Sequence, residues 1–145
     1  MTKVQAQRAR RVLTILCACG LLPLAGCGGL KLVPVSGKMT MNGKPLTGGG
    51  VSFVPDASKG NEARVACLGR IGPQGQYEAK TAGVQGSQQG KGVPLGWYKV
   101  IIVTSVMGSP PIKVDPIYTD PEKTPFSIEV IANPAPDRYH FDLKE

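Results

Sequence analysis

One histidine, His140, stands in a chain of 145 residues. That scarcity leaves no basis for a zinc site of several imidazoles or for a hydrolase built on a histidine cluster. Aromatic residues are few as well, at 6%, with three Phe, four Tyr and a single Trp. They do not interleave with basic residues as the stacking platforms of a nucleic-acid groove do. No apolar stretch reaches the roughly 20 residues of a membrane span. The stretch Val12 to Leu24 is 13 residues long and carries Gly20 and Pro23. Long helices are lacking too. Gly and Pro supply 19 and 13 residues, and beyond residue 26 no window keeps apolar side chains at helical spacing over three turns.

The N-terminus has a clear layout. Lys3, Arg8, Arg10 and Arg11 precede the apolar stretch, which runs into the small residues Ala25 and Gly26 and then Cys27. A basic end, a short apolar core and small residues at its close make a secretory signal. Leu24-Ala25-Gly26-Cys27 resembles the lipobox of bacterial lipoproteins. The resemblance implies recognition of Leu24, Ala25 and Gly26 by a signal peptidase and cleavage before Cys27. It also implies diacylglycerol on the Cys27 sulfur and acylation of the new amino group. An ordinary cleaved signal is the alternative. Arg10-Arg11 follows Ala9, where a twin-arginine signal prefers Ser or Thr, so a plain basic end is the reading. Gly28 stands where an Asp favours inner-membrane retention in well-studied lipoproteins, which tilts the expectation toward the outer membrane.

Removing the leader changes the charge. Its four basic residues leave with no acidic ones, taking Lys+Arg from 17 to 13 against 10 Asp+Glu, so a net +7 becomes about +3. The remaining basic residues are scattered singly, and nucleic acid is excluded as a partner. Of four cysteines, Cys17 and Cys19 lie in the leader and Cys27 takes lipid, leaving Cys67 alone. No internal disulfide is possible, so an exported body must be held by its core. Cys67, in the strand-like run Arg64-Val-Ala-Cys-Leu68, reads as a small buried hydrophobe rather than a catalytic thiol.

Alternation dominates the rest. Val35 to Met41 forms a first strand, and Asn42-Gly43 is a hairpin turn because both residues tolerate positive φ. Further strands are expected at Val51–Pro55, Arg64–Ile71, Gln76–Lys80, Trp97–Thr104, Phe126–Ala132 and Arg138–Leu143. Ala82 to Gly96, with five glycines and three glutamines, reads as a mobile loop. Met107 to Pro125, with five prolines, reads as an irregular crossing segment. About seven short strands in one small domain predict an all-β fold, a β-sandwich of two facing sheets. The expected divisions are a leader (1–26), a lipidated tether (27–34) and the sandwich (35–145).

Val35-Ser-Gly-Lys-Met-Thr-Met-Asn-Gly-Lys-Pro-Leu46, Gly50-Val-Ser-Phe-Val-Pro-Asp56, Gly72-Pro-Gln-Gly-Gln-Tyr77 and Pro94-Leu-Gly-Trp-Tyr-Lys-Val100 together resemble a carboxypeptidase regulatory-like domain. Tyr139-His-Phe-Asp-Leu143 is similar to the final strand of small bacterial lipoproteins of this type. The resemblance covers about residues 33–143 and implies a transthyretin-like (prealbumin-like), Greek-key sandwich with Tyr77, Tyr98 and Val100 in its core. Pro73-Gln74 departs from the acidic turn residue of the family. The motifs serve the fold and say little about function. One transthyretin relative hydrolyses 5-hydroxyisourate with several histidines, an arginine and a Tyr-Arg-Gly-Ser motif, and this chain lacks that set.

No enzyme is expected, no metal and no cofactor. Asp115, Asp120 and Glu122 share a loop but fit no calcium spacing, and no serine sits in a nucleophile elbow. One feature invites a partner. If Tyr98, Val100 and Ile102 face the core, then Trp97, Lys99, Ile101 and Val103 face outward, and three large apolar groups on an outer face are unusual. Either the glycine-rich loop or the Met107–Pro125 segment covers them, or Trp97, Ile101 and Val103 form a binding surface. The expected function is a non-catalytic, lipid-anchored module of the bacterial cell envelope, structural or protein-binding, with membrane contact through its N-terminal lipid. The alternative is a carbohydrate-binding accessory domain at the cell surface.

Overall fold

The computed structural model describes residues 31–144 apart from 62, 64, 82–89 and 91. Its regular elements are short strands and two single-turn 3₁₀ segments, so the fold is all-β. The first part runs β1 (Leu32–Val33), β2 (Val35–Met41), β3 (Lys44–Pro45), β4 (Gly50–Pro55) and β5 (Cys67–Arg70). The second part adds β6 (Gln76–Thr81), β7 (Val93–Pro94), β8 (Gly96–Val103), β9 (Ser127–Val130) and β10 (Phe141–Leu143). The main sheet has the order β10-β2-β6-β5-β4-β8-β9, with β3 paired to β2, and β1 and β7 form a separate two-stranded sheet. All pairings are antiparallel except β10 on β2, which is parallel.

The sheet is strongly curled. In a flat sheet β10 and β4 would lie four strand spacings apart, about 19 Å. Instead the Phe141 ring of β10 sits 6.5 Å from the Phe53 ring of β4. Phe53 also meets Tyr77 of β6 at 6.2 Å and Tyr98 of β8 at 6.1 Å. A single phenylalanine thus touches three other strands, so a chain with few aromatics still fills one core. Met39, Val51, Cys67, Ala79, Val100, Ile102 and Leu143 close around it, all fully buried. The gap between the two ends of the sheet is plugged by Phe126, which meets Phe141 at 5.1 Å and stacks on Tyr118 at 5.4 Å. The result is a sandwich-like body whose two halves belong to one continuous sheet.

Local rules account for the turns. Asn42 and Gly43 take φ of 51° and 78°, the mirror-image turn that matches strand twist, and join β2 to β3. In the Gly72–Gly75 turn the place of the missing acidic cap is taken by Gln76, whose Oε1 accepts from the Gln74 amide at 2.9 Å.

Several boundaries differ from the sequence reading. Leu32–Val33 is not tether but a strand, paired with Val93–Pro94, and Val33 is buried. The glycine-rich stretch correspondingly ends early, since Val93 and Pro94 are buried; residues 82–89 and 91 lie outside the described residues. The strand expected from Arg64 starts at Cys67, and the one expected at Phe126–Ala132 is Ser127–Val130. The last strand begins at Phe141 rather than Arg138. Asp137 takes a φ of 64° and His140 N donates to Asp137 O at 3.0 Å, which makes a turn where alternation suggested a strand.

Among the described glycines, Gly37 leaves the least room for a side chain. A Cβ there would lie 2.0 Å from the Tyr139 carbonyl oxygen, whereas one at Gly43 would meet nothing within 4 Å. Gly37→Ala therefore forces backbone apart, at the upper end of the roughly 1–3 kcal/mol of overpacking. Gly43→Ala carries only the strain of a left-handed alanine, about 1 kcal/mol. Chemical denaturation of both variants checks the order, and equal losses would show that the crossing at Gly37 yields freely.

Candidate functional site

The outward face of β8 is set by alternation. Tyr98, Val100 and Ile102 are buried, while Trp97, Lys99, Ile101 and Val103 on the opposite side are half-buried. Trp97, Ile101 and Val103 therefore share one face, with Ser52 opposite Ile101 and Leu68 of β5 beyond it. Trp97 is covered by Lys59, whose Nζ lies 3.8 Å from the ring centroid and donates to Ser127 Oγ at 2.9 Å. The cover on Trp97 comes from the Ala57–Lys59 turn. At the far end of the face Val106 lies over Gly50, the register partner of Val103, while Ile112 and Val114 pack on the core.

Register explains why Lys59 reaches the ring. β4 ends opposite Tyr98, and the Asp56 amide then donates to the Trp97 carbonyl at 2.9 Å. The Asn61 side chain donates to the same carbonyl at 2.7 Å. Asp56 caps the intervening turn by accepting from Ser58 N at 3.1 Å and Ser58 Oγ at 2.5 Å. Asp56-Ala-Ser58 is a readable turn signal in the sequence. Its placement against Trp97 depends on the pairing of β4 with β8 and could not be read there.

A second concavity was not anticipated. Loop 131–140 runs beside the first half of β2, leaving an open groove of about 840 Å³. Lys38, Arg70, Glu78, Asp137, Arg138 and His140 line it among others. Three of these side chains, Asp137, Arg138 and His140, have polar partners. Arg138 donates through Nε and Nη2 to the Glu129 carbonyl, both at 3.2 Å, and His140 Nε2 lies 3.3 Å from Asp137 Oδ1. Among the described residues, no hydroxyl or thiol is hydrogen-bonded to the His140 ring.

The other sequence candidates are dispersed. Cys67 is fully buried, its Sγ 3.5 Å from Thr81 Oγ1, and burial pushes its thiol pKa up, opposite to an activated nucleophile. Asp115 accepts from Ile117 N at 2.9 Å, and Asp120 accepts from Glu122 N at 2.9 Å and pairs with Lys123. Those two carboxylates thus cap their own turns. Among the described residues no group of three or more His, Cys, Asp or Glu converges on a metal position. Leu24, Ala25, Gly26 and Cys27 lie outside the described residues.

Two polar anchors hold this frame. Tyr77 Oη donates to the Tyr139 carbonyl at 2.6 Å in a buried setting. Asp142 accepts from Thr40 Oγ1 at 2.7 Å and Gly43 N at 2.9 Å and pairs with Lys144. The Lys144 ammonium, then the Thr40 hydroxyl and the Gly43 amide, hold the Asp142 carboxyl well below the usual carboxylate range.

No family model, no curated protein and no solved structure matches the chain.

Tyr77→Phe leaves the Tyr139 carbonyl buried without its donor and lowers stability by about 1–3 kcal/mol in denaturant; an unchanged midpoint would show that water replaces the phenol. For Asp142 the folded pKa is depressed, so its stabilisation is present above the unfolded carboxyl range and is lost as pH falls through and below it. Thermal unfolding at about pH 7 and about pH 3 should show a larger drop for the native chain than for Asp142→Asn. Equal drops would remove this carboxylate from the acid response.

Proposed function

We propose that this protein is a lipid-anchored, non-catalytic module of a bacterial cell envelope, a variant of the transthyretin-like sandwich that serves a structural or protein-binding role. The observation that carries the proposal is Leu24-Ala25-Gly26-Cys27 behind a basic and apolar leader, only five residues ahead of the first strand at Leu32. The leader is removed, Cys27 carries the acyl chains, and Gly28 favours the outer membrane. Anchoring of this kind is energetically sufficient, since each buried methylene contributes about 0.8 kcal/mol and two or more chains hold a protein stably.

The non-catalytic part draws support from the sealed Cys67 and from the engagement of Arg138 with backbone. The protein partner is another envelope component, met through the outward face of β8 at Ile101 and Val103, with Trp97 at the edge of that face nearest the anchor. We favour this over glycan binding because a sugar needs a bare aromatic ring, and the Lys59 ammonium lies over Trp97.

Cys27→Ser should yield a folded protein that no longer enters the detergent phase or pellets with membranes, while the native chain does both. Equal partitioning of the two would reject the anchor.

A further inference from the structure

We infer that the end of the sandwich carrying Lys31, Lys59, Leu95 and Trp97 rests on the anionic lipid surface that the anchor holds. The inference rests on the lipidation of Cys27 and adds which way the body faces.

The argument begins with chain length. Cys27 and Lys31 are four residue steps apart, at most about 14 Å fully extended. Leu32 pairs with Pro94 and Val33 with Val93, so the continuing register sets Lys31 opposite Leu95. An acylated Cys27 therefore holds the turn between β7 and β8 within one short segment of the headgroups. Leu95 is 41% exposed there. Trp97 lies two residues on, and Lys31 and Lys59 are exposed beside this end. An exposed leucine, a half-buried indole and two ammonium groups are the chemistry of an interfacial contact. Acyl-region contact suits the leucine, the headgroup level suits the indole, and anionic phosphates suit the lysines. Among the described residues two acidic groups are near. Asp56 is buried and held by Ser58, and Glu129 on β9 pairs in register with Trp97.

The other end of β8 supplies the contrast. Met107 is 92% exposed, but it follows the far end of an eight-residue strand, about 25 Å away. The orientation holds Leu95 and Trp97 at the membrane and turns Met107 away from it.

The test uses the full chain, lipidated in a bacterial host and reconstituted into phosphatidylcholine vesicles containing phosphatidylglycerol and a headgroup-nitroxide lipid. Trp97 is the only tryptophan, so its native emission reports this end directly. Leu95→Cys and Met107→Cys carry the same small fluorophore, since Cys67 is sealed from label. Vesicle flotation, scored separately, reports the anchor. Quenching of Trp97 and of the dye at 95 but not at 107 is expected. The quenching should weaken in Lys31→Gln with Lys59→Gln, and at high salt, while flotation is unchanged. Floating protein with Trp97 unquenched, or with the dye at 107 quenched as strongly as at 95, would overturn the orientation. Failure to float would overturn the anchor and this inference with it.

Discussion

The body depends on how loop 131–140 ties down both ends of one curled sheet. A sheet whose first and last strands do not pair exposes two rows of backbone groups, which invite further pairing. Here one loop engages both ends. Arg138 occupies the Glu129 carbonyl of β9, and the Tyr139 hydroxyl accepts from the Ile131 amide just beyond it. On the other side the Tyr139 carbonyl takes the Tyr77 hydroxyl and lies against Gly37 of β2. Phe141 then enters the core two residues later and reaches Phe53. The aromatic cluster, the β10 pairing and the groove beside β2 all depend on that crossing.

Much of the frame was legible because it is written in short-range patterns. Alternation at Val35–Met41, Gln76–Lys80 and Trp97–Val103 reports half-buried strands directly, and Asn42-Gly43 reports its hairpin. The inward set Tyr98, Val100 and Ile102 follows from the same period of two. What could not be read depends on pairing between distant segments. β1 and β7 are two residues each, too short for any periodicity, and exist because Leu32–Val33 and Val93–Pro94 meet. Arg138 to His140 alternate like a strand, yet the left-handed backbone at Asp137 makes them a turn. The groove beside β2 joins residues of β2, β5, β6 and the last loop, and only the pairing of these separate segments brings them together.

The face of β8 shows how the two kinds of information combine. Its outward residues are fixed by alternation, whereas their covering is fixed by where β4 ends. The chain leaves β4 opposite Tyr98 and turns at once, held by the Asp56 cap and the two hydrogen bonds to the Trp97 carbonyl. Lys59 is thereby delivered to the indole ring. A basic group over an aromatic ring stands at the end of the body from which the N-terminal segment departs, and the proposed membrane contact rests on that geometry.

The parallel strand β10 has a consequence for the order of assembly. Phe141 meets Phe53 across 88 positions of sequence, and both flank a cluster that nothing else fills. A chain that emerges amino end first cannot shut this interior until β10 arrives. Closure across so long a separation makes folding slow, because the entropy of joining distant segments is spent before their contacts form.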